Sequence, residues 1–130
     1  MLDRQKKRVL FVIGQLGVGG AERQLVYLAS HLDKSRFEVL VCSLSAEAPL
    51  RLLLENAGIP TVILPQVMHP DLTRPFKLYR LIKSFQPDLI HSYLFVANTW
   101  SRIVGSMQNI PVILSERSSE PKKPFFITEI

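Results

Sequence analysis

A glycine-rich loop stands between an apolar segment and a helical one, an order of residues suited to binding phosphate or a sugar hydroxyl. The segment Val9–Ile13 is continuously apolar. A loop with Gly17, Gly19 and Gly20 follows it, and an amphipathic helix begins there. Such a helix directs free backbone N–H groups and the positive end of its dipole to the carboxyl edge of a sheet. The glycines equally suit a tight turn without a ligand.

Two familiar phosphate-binding motifs do not fit this loop. A dinucleotide fold combines G-x-G-x-x-G with an acidic residue about 20 residues further on, at the end of the second strand. Here the second apolar segment ends Cys42-Ser43-Leu44-Ser45, without an acid. A P-loop needs Gly-Lys-Ser/Thr, and no lysine follows Gly20. The loop therefore disfavours a nicotinamide cofactor and the hydrolysis of nucleoside triphosphates.

Two charged residues open the helix after the glycines. We expect Glu22 and Arg23 in its first turn, beside the cleft and opposite the apolar stripe of the helix. There both side chains can reach a ligand. The alternatives are that Glu22 only stabilises the helix dipole and that Arg23 is only solvated.

A second group of polar residues is expected at the same edge of the sheet. His91 and Tyr93 follow the predicted fourth strand, Asn98 lies at the start of the fourth helix, and Arg117 follows the fifth strand. The carboxyl ends of parallel strands are where ligands bind in open sheets, and a guanidinium binds phosphate bidentately. The alternatives are a hydrogen-bonded strand-end histidine, a helix-cap asparagine and a solvated loop arginine.

Alternating strand and helix patterns predict the α/β scaffold that brings these residues together. The predicted strands are Val9–Ile13, Phe37–Leu44, Thr61–Leu64, Asp88–His91 and Val112–Ser115. Four apolar stripes at helical spacing lie between them: Ala21, Leu25, Leu28, Ala29 and Leu32; Leu50, Leu53, Leu54 and Ala57, stopped by Gly58; Leu78, Leu81, Ile82 and Phe85; Val96, Trp100, Ile103, Val104 and Met107. This pattern predicts a Rossmann-like parallel sheet of about five strands, in the order 3-2-1-4-5, with helices on both faces.

Composition excludes several classes of protein. The chain has 130 residues, of which 47% are apolar and 21% charged, so we expect one globular domain. One cysteine and three scattered histidines favour neither disulfides nor a metal site. The net charge of +5 permits an acidic partner, but it is not interleaved with aromatics as in nucleic-acid-binding proteins. Without a signal-peptide core or a membrane-length apolar run, we expect a cytoplasmic protein.

Five segments in order resemble the N-terminal domain of family 4 retaining glycosyltransferases. The matching segments are Gly19–Ala29, Glu55–Pro60, Pro87–Asn98, Arg102–Gly105 and Pro111–Ser118. The resemblance implies one half of a GT-B architecture, in which the N-terminal domain binds the acceptor. It also implies a nucleotide-sugar donor, held mostly by a second domain, and catalysis without a metal or other cofactor. Helix N-termini and basic side chains neutralise the leaving diphosphate in such enzymes.

The resemblance also assigns roles to the polar residues. It places Gly19 and Gly20, with Glu22 and Arg23 beside them, against the phosphates or sugar of the donor. The acceptor pocket would be lined by His91, Tyr93, Asn98 and Arg117. Several relatives have a histidine in a His-Thr pair after the fifth strand, where this chain has Glu116-Arg117-Ser118. No catalytic residue is therefore assigned.

Residues 1–118 are predicted to form the domain and residues 119–130 a tail. We expect the apolar Phe125, Phe126 and Ile127 to pack against the body of the domain or against another copy of the chain, which favours self-association. With a second domain present, they would begin a further helix. The helix Arg74–Phe85 has a basic face. This face is suited either to solvent or to weak contact with the cytoplasmic side of an anionic membrane.

Three functions fit these expectations to different degrees. The first is the acceptor half of a glycosyltransferase, with cell-envelope polysaccharide synthesis as its setting, inactive without the donor domain. The second is a non-catalytic module that pairs with a separate donor-binding subunit or a membrane. The third, a flavodoxin-like binding domain, is disfavoured because no flavin-loop signature is present.

Overall fold

Strands and helices alternate along the computed structural model, which describes residues 6–14, 20–44, 51–64, 73–93, 95–115 and 126–128. The elements are β1 (Lys7–Ile13), α1 (Gly20–His31), β2 (Phe37–Ser43), α2 (Arg51–Asn56), β3 (Thr61–Ile63), α3 (Thr73–Phe85), β4 (Leu89–Tyr93), α4 (Phe95–Met107), β5 (Val112–Ser115) and β6 (Phe126–Thr128).

One sheet contains all six strands, in the order β3-β2-β1-β4-β5-β6. The first five are parallel, and β1 at the centre pairs with both β2 and β4. The predicted parallel sheet and its strand order are confirmed. Parallel crossovers need a connection on one face of the sheet, and here helices supply it.

The sixth strand corrects the expectation of a new helix at Phe125–Ile127. Residues Phe126–Thr128 run antiparallel to β5, with Ile127 opposite Ile113. The outer edge of β5 offers unpaired backbone groups, and phenylalanine, isoleucine and threonine favour extended backbone. Residue 125 lies outside the described residues.

Helices cover both faces of the sheet, as predicted. Alternate residues of β1 enter two separate cores because successive side chains of a strand point to opposite faces. The first core packs α1 and α2 on the sheet, and the second packs α3 and α4 on the other face. Their central residues are, in the first, Phe11, Ile13, Leu25 and Leu54, and in the second, Leu10, Val12, Ile82 and Val104.

Three predicted stripes are partly wrong. In α4, Ile103 and Met107 are exposed. In α1, Leu28 is exposed and Glu22 is buried. In α2, Leu54 is buried, whereas Leu53 is 53% exposed because this six-residue helix turns only one narrow side to the sheet. The predicted stop at Gly58 is confirmed, since its φ is 77° and the N–H of Ile59 donates to the carbonyl of Leu54 at 2.9 Å.

Close packing of α4 on β5 depends on Gly105. An added Cβ at this position would lie 2.7 Å from Cγ2 of Val112. A real Cβ does not tolerate such a distance, and the valine methyl has little rotameric freedom. The glycine therefore lets the C-terminal part of α4 pack closely on the amino end of β5, while the start of the same helix lies at the edge that carries the candidate site.

We predict that Gly105→Ala lowers the free energy of unfolding by about 1 kcal/mol. Alanine in a helix gains about 1 kcal/mol over glycine, but overpacking costs typically 1–3 kcal/mol, so the overlap with Val112 decides the sign. Urea unfolding measures it, with Ser106→Ala, at an exposed position of the same helix, as the control. An increase in stability of Gly105→Ala would contradict the close approach.

Candidate functional site

Two aromatic side chains meet at the carboxyl end of β4. His91 and Tyr93 are two residues apart and therefore share a face of the sheet with Phe11 of β1. The rings of His91 and Tyr93 are stacked, with centroids 4.4 Å apart and planes 15° apart. The centroid of Phe11 lies 5.6 Å from that of His91. Tyr93 is buried, whereas His91 remains partly accessible.

Both residues lie inside β4, which corrects the prediction that they follow it. The strand was predicted to end at His91 but continues to Tyr93, opposite Ile13 on one side and Ser115 on the other. Backbone pairing with two neighbouring strands holds these polar residues extended. The ring of His91 is thus fixed by a rigid element rather than carried by a loop.

Ser115 at the end of β5 joins the two halves of the candidate acceptor site. Its hydroxyl oxygen lies 2.9 Å from Nε2 of His91. Its backbone carbonyl accepts a hydrogen bond from Nδ2 of Asn98 at 3.3 Å. Ser115 was not predicted as a site residue. The only sign of it in the sequence is that a polar residue ends the apolar strand Val112–Ser115.

Asn98 is buried under the first turn of α4, 3% exposed. Neither of its predicted interpretations, a helix cap or an open cleft residue, anticipated a side chain that ties α4 to β5. Within the described part of the chain, its Oδ1 and the hydroxyls of Ser92 and Ser101 are buried without hydrogen-bond partners. An unpaired buried polar atom costs about 1–3 kcal/mol, so this interface retains polar groups at the expense of stability.

Burial gives His91 an unusual protonation state. Desolvation lowers the pKa of its imidazole from 6.5 to about 4, because water no longer stabilises the charged ring. The ring is therefore neutral near neutral pH. A neutral imidazole offers one donor and one acceptor, which matches a hydroxyl rather than a phosphate.

The start of α1 lies at the same edge of the sheet. Gly20 is the first residue of the helix and is exposed, as is Arg23. Glu22 is 6% exposed, which contradicts its predicted place opposite the apolar stripe. It lies three residues before the buried Leu25 and therefore continues the buried stripe.

Several predicted site residues lie outside the described residues. These are Gly17 and Gly19 of the glycine loop, together with Arg117 after β5. Gly20, Glu22, Arg23, His91, Tyr93 and Asn98 are described, and all six belong to elements that end or begin at the carboxyl edge. Over the described ranges, no group of histidine, cysteine or carboxylate side chains could hold a metal ion.

The lowered pKa of His91 predicts that stability falls in mild acid. Between about pH 6.5 and pH 4 the unfolded chain binds a proton at this residue and the folded chain does not. The free energy of unfolding should therefore decrease as the pH falls through this window. Urea midpoints measured from about pH 7 to about pH 4 should fall less in His91→Gln. Parallel curves for the two proteins would contradict the buried neutral state.

Comparison of sequences identifies the family. The model described as Glycosyltransferase Family 4 matches residues 18–128, which is most of the chain. No curated protein sequence matches significantly.

Comparison of folds leads to the same architecture. HepE from Anabaena, crystallised with UDP, matches with a TM-score of 0.68 and 21% identity, over 83% of this chain and 29% of HepE. MurG from Acinetobacter baumannii gives 0.68 and 17% over 85% of this chain and 35% of MurG. A glycosyltransferase from Rickettsia africae gives 0.67 and 19% over 92% of this chain and 32% of its own. This chain thus spans about a third of each protein. It belongs to glycosyltransferase family 4 and has the Rossmann-like fold of the N-terminal half of a GT-B enzyme.

Proposed function

We propose that this domain binds the acceptor of a retaining glycosyltransferase, which transfers a sugar from a nucleotide-sugar donor to a saccharide or a lipid-linked acceptor. The observation that carries the proposal is the neutral, half-buried ring of His91 at the carboxyl edge, hydrogen-bonded to Ser115. Membership of glycosyltransferase family 4 supports it. The setting that we propose is the cytoplasmic side of a membrane, in the synthesis of a cell-envelope polysaccharide.

The chemistry of a sugar acceptor suits these residues. Its hydroxyls are uncharged and act both as donors and as acceptors, as a neutral imidazole does. In this proposal His91 contacts an acceptor hydroxyl. Tyr93 supports the ring of His91 by stacking on it, and Asn98 of α4 holds the neighbouring Ser115. Arg117 would contribute a cation for an acceptor that carries a phosphate.

The start of α1 suits the charged part of the donor. Backbone N–H groups at a helix N-terminus and an exposed guanidinium both stabilise the charge that develops on a leaving diphosphate. Gly19 and Gly20 would let the donor approach the backbone, and Arg23 would contact its phosphates. Glu22 is buried in the apolar stripe of α1 and is given no contact with the donor. In this proposal these groups, rather than a metal ion, stabilise the leaving diphosphate.

A second domain is part of the proposal. The structural relatives are about three times as long as this chain, and we place most of the donor site in a domain of that kind. The chain alone would then bind an acceptor but transfer no sugar. The alternative is a non-catalytic module that pairs with a separate donor-binding subunit.

Ligand-observed NMR tests the acceptor assignment. We predict that the 130-residue chain binds at least one member of a panel of mono-, di- and lipid-linked saccharides. It should form no product from that saccharide and UDP-glucose. His91→Phe keeps an aromatic ring on Tyr93 but loses the hydrogen bond, so binding should weaken roughly tenfold. Ser106→Ala, exposed on α4, should bind like the wild type.

Each negative result has a distinct meaning. Absence of binding across the whole panel would contradict the acceptor role. Product formed by the chain alone would contradict the need for a donor domain. Equal binding by His91→Phe would place the acceptor elsewhere.

A surface next to the second core supports an additional membrane contact. On the outer side of α3, Phe76 is 61% exposed, and Arg80 stacks on its ring at 5.8 Å. Lys83 lies on the same side, one helical turn further on. On the adjoining α4, Met107 is 66% exposed. Exposed apolar side chains among cations favour an anionic lipid surface. None of the described helices has the length and hydrophobicity to cross a bilayer.

We predict that the chain binds vesicles containing phosphatidylglycerol more tightly than vesicles of phosphatidylcholine alone. Lys83→Glu should weaken this binding roughly tenfold or more, because each basic residue near the surface contributes about 1 kcal/mol. Phe76→Ser should weaken it at either lipid composition. Arg36→Glu changes charge equally at an exposed position just before β2, outside α3 and α4, and should have less effect. Co-sedimentation measures all four proteins, and an equal loss in Arg36→Glu would contradict a localised surface.

A further inference from the structure

Ser115 contacts the acceptor site on both sides of the sheet. Its hydroxyl and the ring of His91 lie on the face covered by α1, since Tyr93 and Ser115 are register partners. Its carbonyl is reached by the amide of Asn98 from α4, which covers the other face. We propose that Ser115 is a positioning residue, which fixes the orientation and tautomer of His91 and couples that ring to α4.

The stacked rings cannot do this alone. Contacts with Tyr93 and Phe11 fix the plane of the imidazole. A ring flipped by 180° within that plane would stack nearly as well, although its nitrogen and carbon atoms would exchange places. A hydrogen bond at one particular nitrogen distinguishes the two orientations. In the structure that bond joins Nε2 of His91 to Oγ of Ser115 at 2.9 Å. Because Ser115 is buried, its hydroxyl proton is satisfied by donation to Nε2, which favours the neutral tautomer protonated at Nδ1.

The coupling to α4 runs through the backbone of Ser115, the last residue of β5. Ser115 is paired with Tyr93 of β4 in the sheet. The amide of Asn98, on the first turn of α4, donates a hydrogen bond to the carbonyl of Ser115. A displacement at the start of α4 would therefore be transmitted to Ser115 and from there to the ring of His91.

The ring nitrogen resonances of His91 test this without any ligand. In the ¹⁵N-labelled chain near neutral pH, one tautomer should give two widely separated shifts, assigned by their loss in His91→Gln. Ser115→Ala should bring the two shifts closer together, because both tautomers become populated. Ser115→Thr, which keeps the hydroxyl, should restore the separation. If Ser115→Ala does not fold, Ser115→Cys serves in its place. Its thiol is only a weak hydrogen-bonding group, so the two shifts should again move closer together.

Ser101→Ala is the matched control. It also removes a buried serine hydroxyl, but one without a hydrogen-bond partner in the described part of the chain, so the shifts of His91 should not change. Averaged shifts in the wild type, or an unchanged separation in both Ser115→Ala and Ser115→Cys, would overturn the proposal. Only the consequence for acceptor binding depends on the proposed function. A single tautomer that Ser115 maintains, without any saccharide binding, would refute the acceptor role and leave the positioning intact.

Discussion

The candidate site depends on the register of β4 between β1 and β5. Parallel pairing places His91 opposite Phe11 and Ile113, and Tyr93 opposite Ile13 and Ser115. A slip of one residue would turn both rings to the other face, because side chains alternate along a strand. The apolar residues of β1 prevent such a slip, since they are buried on both faces and fill two different cores. The same packing that stabilises the sheet therefore fixes the orientation of the histidine.

Packing of α4 imposes the second constraint on the site. Gly105 permits a close approach to β5, and the first turn of the same helix carries Asn98 to the carbonyl of Ser115. This interface also contains the buried hydroxyls of Ser92 and Ser101, which have no partner among the described residues. Apolar replacements of these serines would remove a cost of about 1–3 kcal/mol each. The interface is therefore not packed for maximal stability, in contrast to the apolar centre of the sheet.

The sequence was sufficient for the order of the elements from β1 to β5 and for the bounds of β5, which agree with the structure. Periodicity failed where polar residues occupy extended or buried positions. The polar His91-Ser92-Tyr93 was interpreted as the end of a strand, although pairing on both sides extends it. Glu22 was placed beside the cleft and opposite the apolar stripe, although its spacing from Leu25 puts it on the buried side. The contact of His91 with Ser115 spans 24 residues and leaves no local pattern.

Two different electrostatic environments result at one edge of the sheet. The end of β4 holds a neutral imidazole, whose pKa burial lowers to about 4, among aromatic rings and a serine hydroxyl. The start of α1 presents an exposed guanidinium at Arg23 and the positive end of a helix dipole. In the proposed reaction an uncharged hydroxyl of the acceptor forms a bond to the donor sugar. The bond from that sugar to the diphosphate breaks, and the charged diphosphate leaves. A neutral pocket would keep the acceptor from competing with the donor for the cationic end of α1. In this proposal burial of His91 would also contribute to specificity, because a protonated ring in its place would attract the phosphates of the donor.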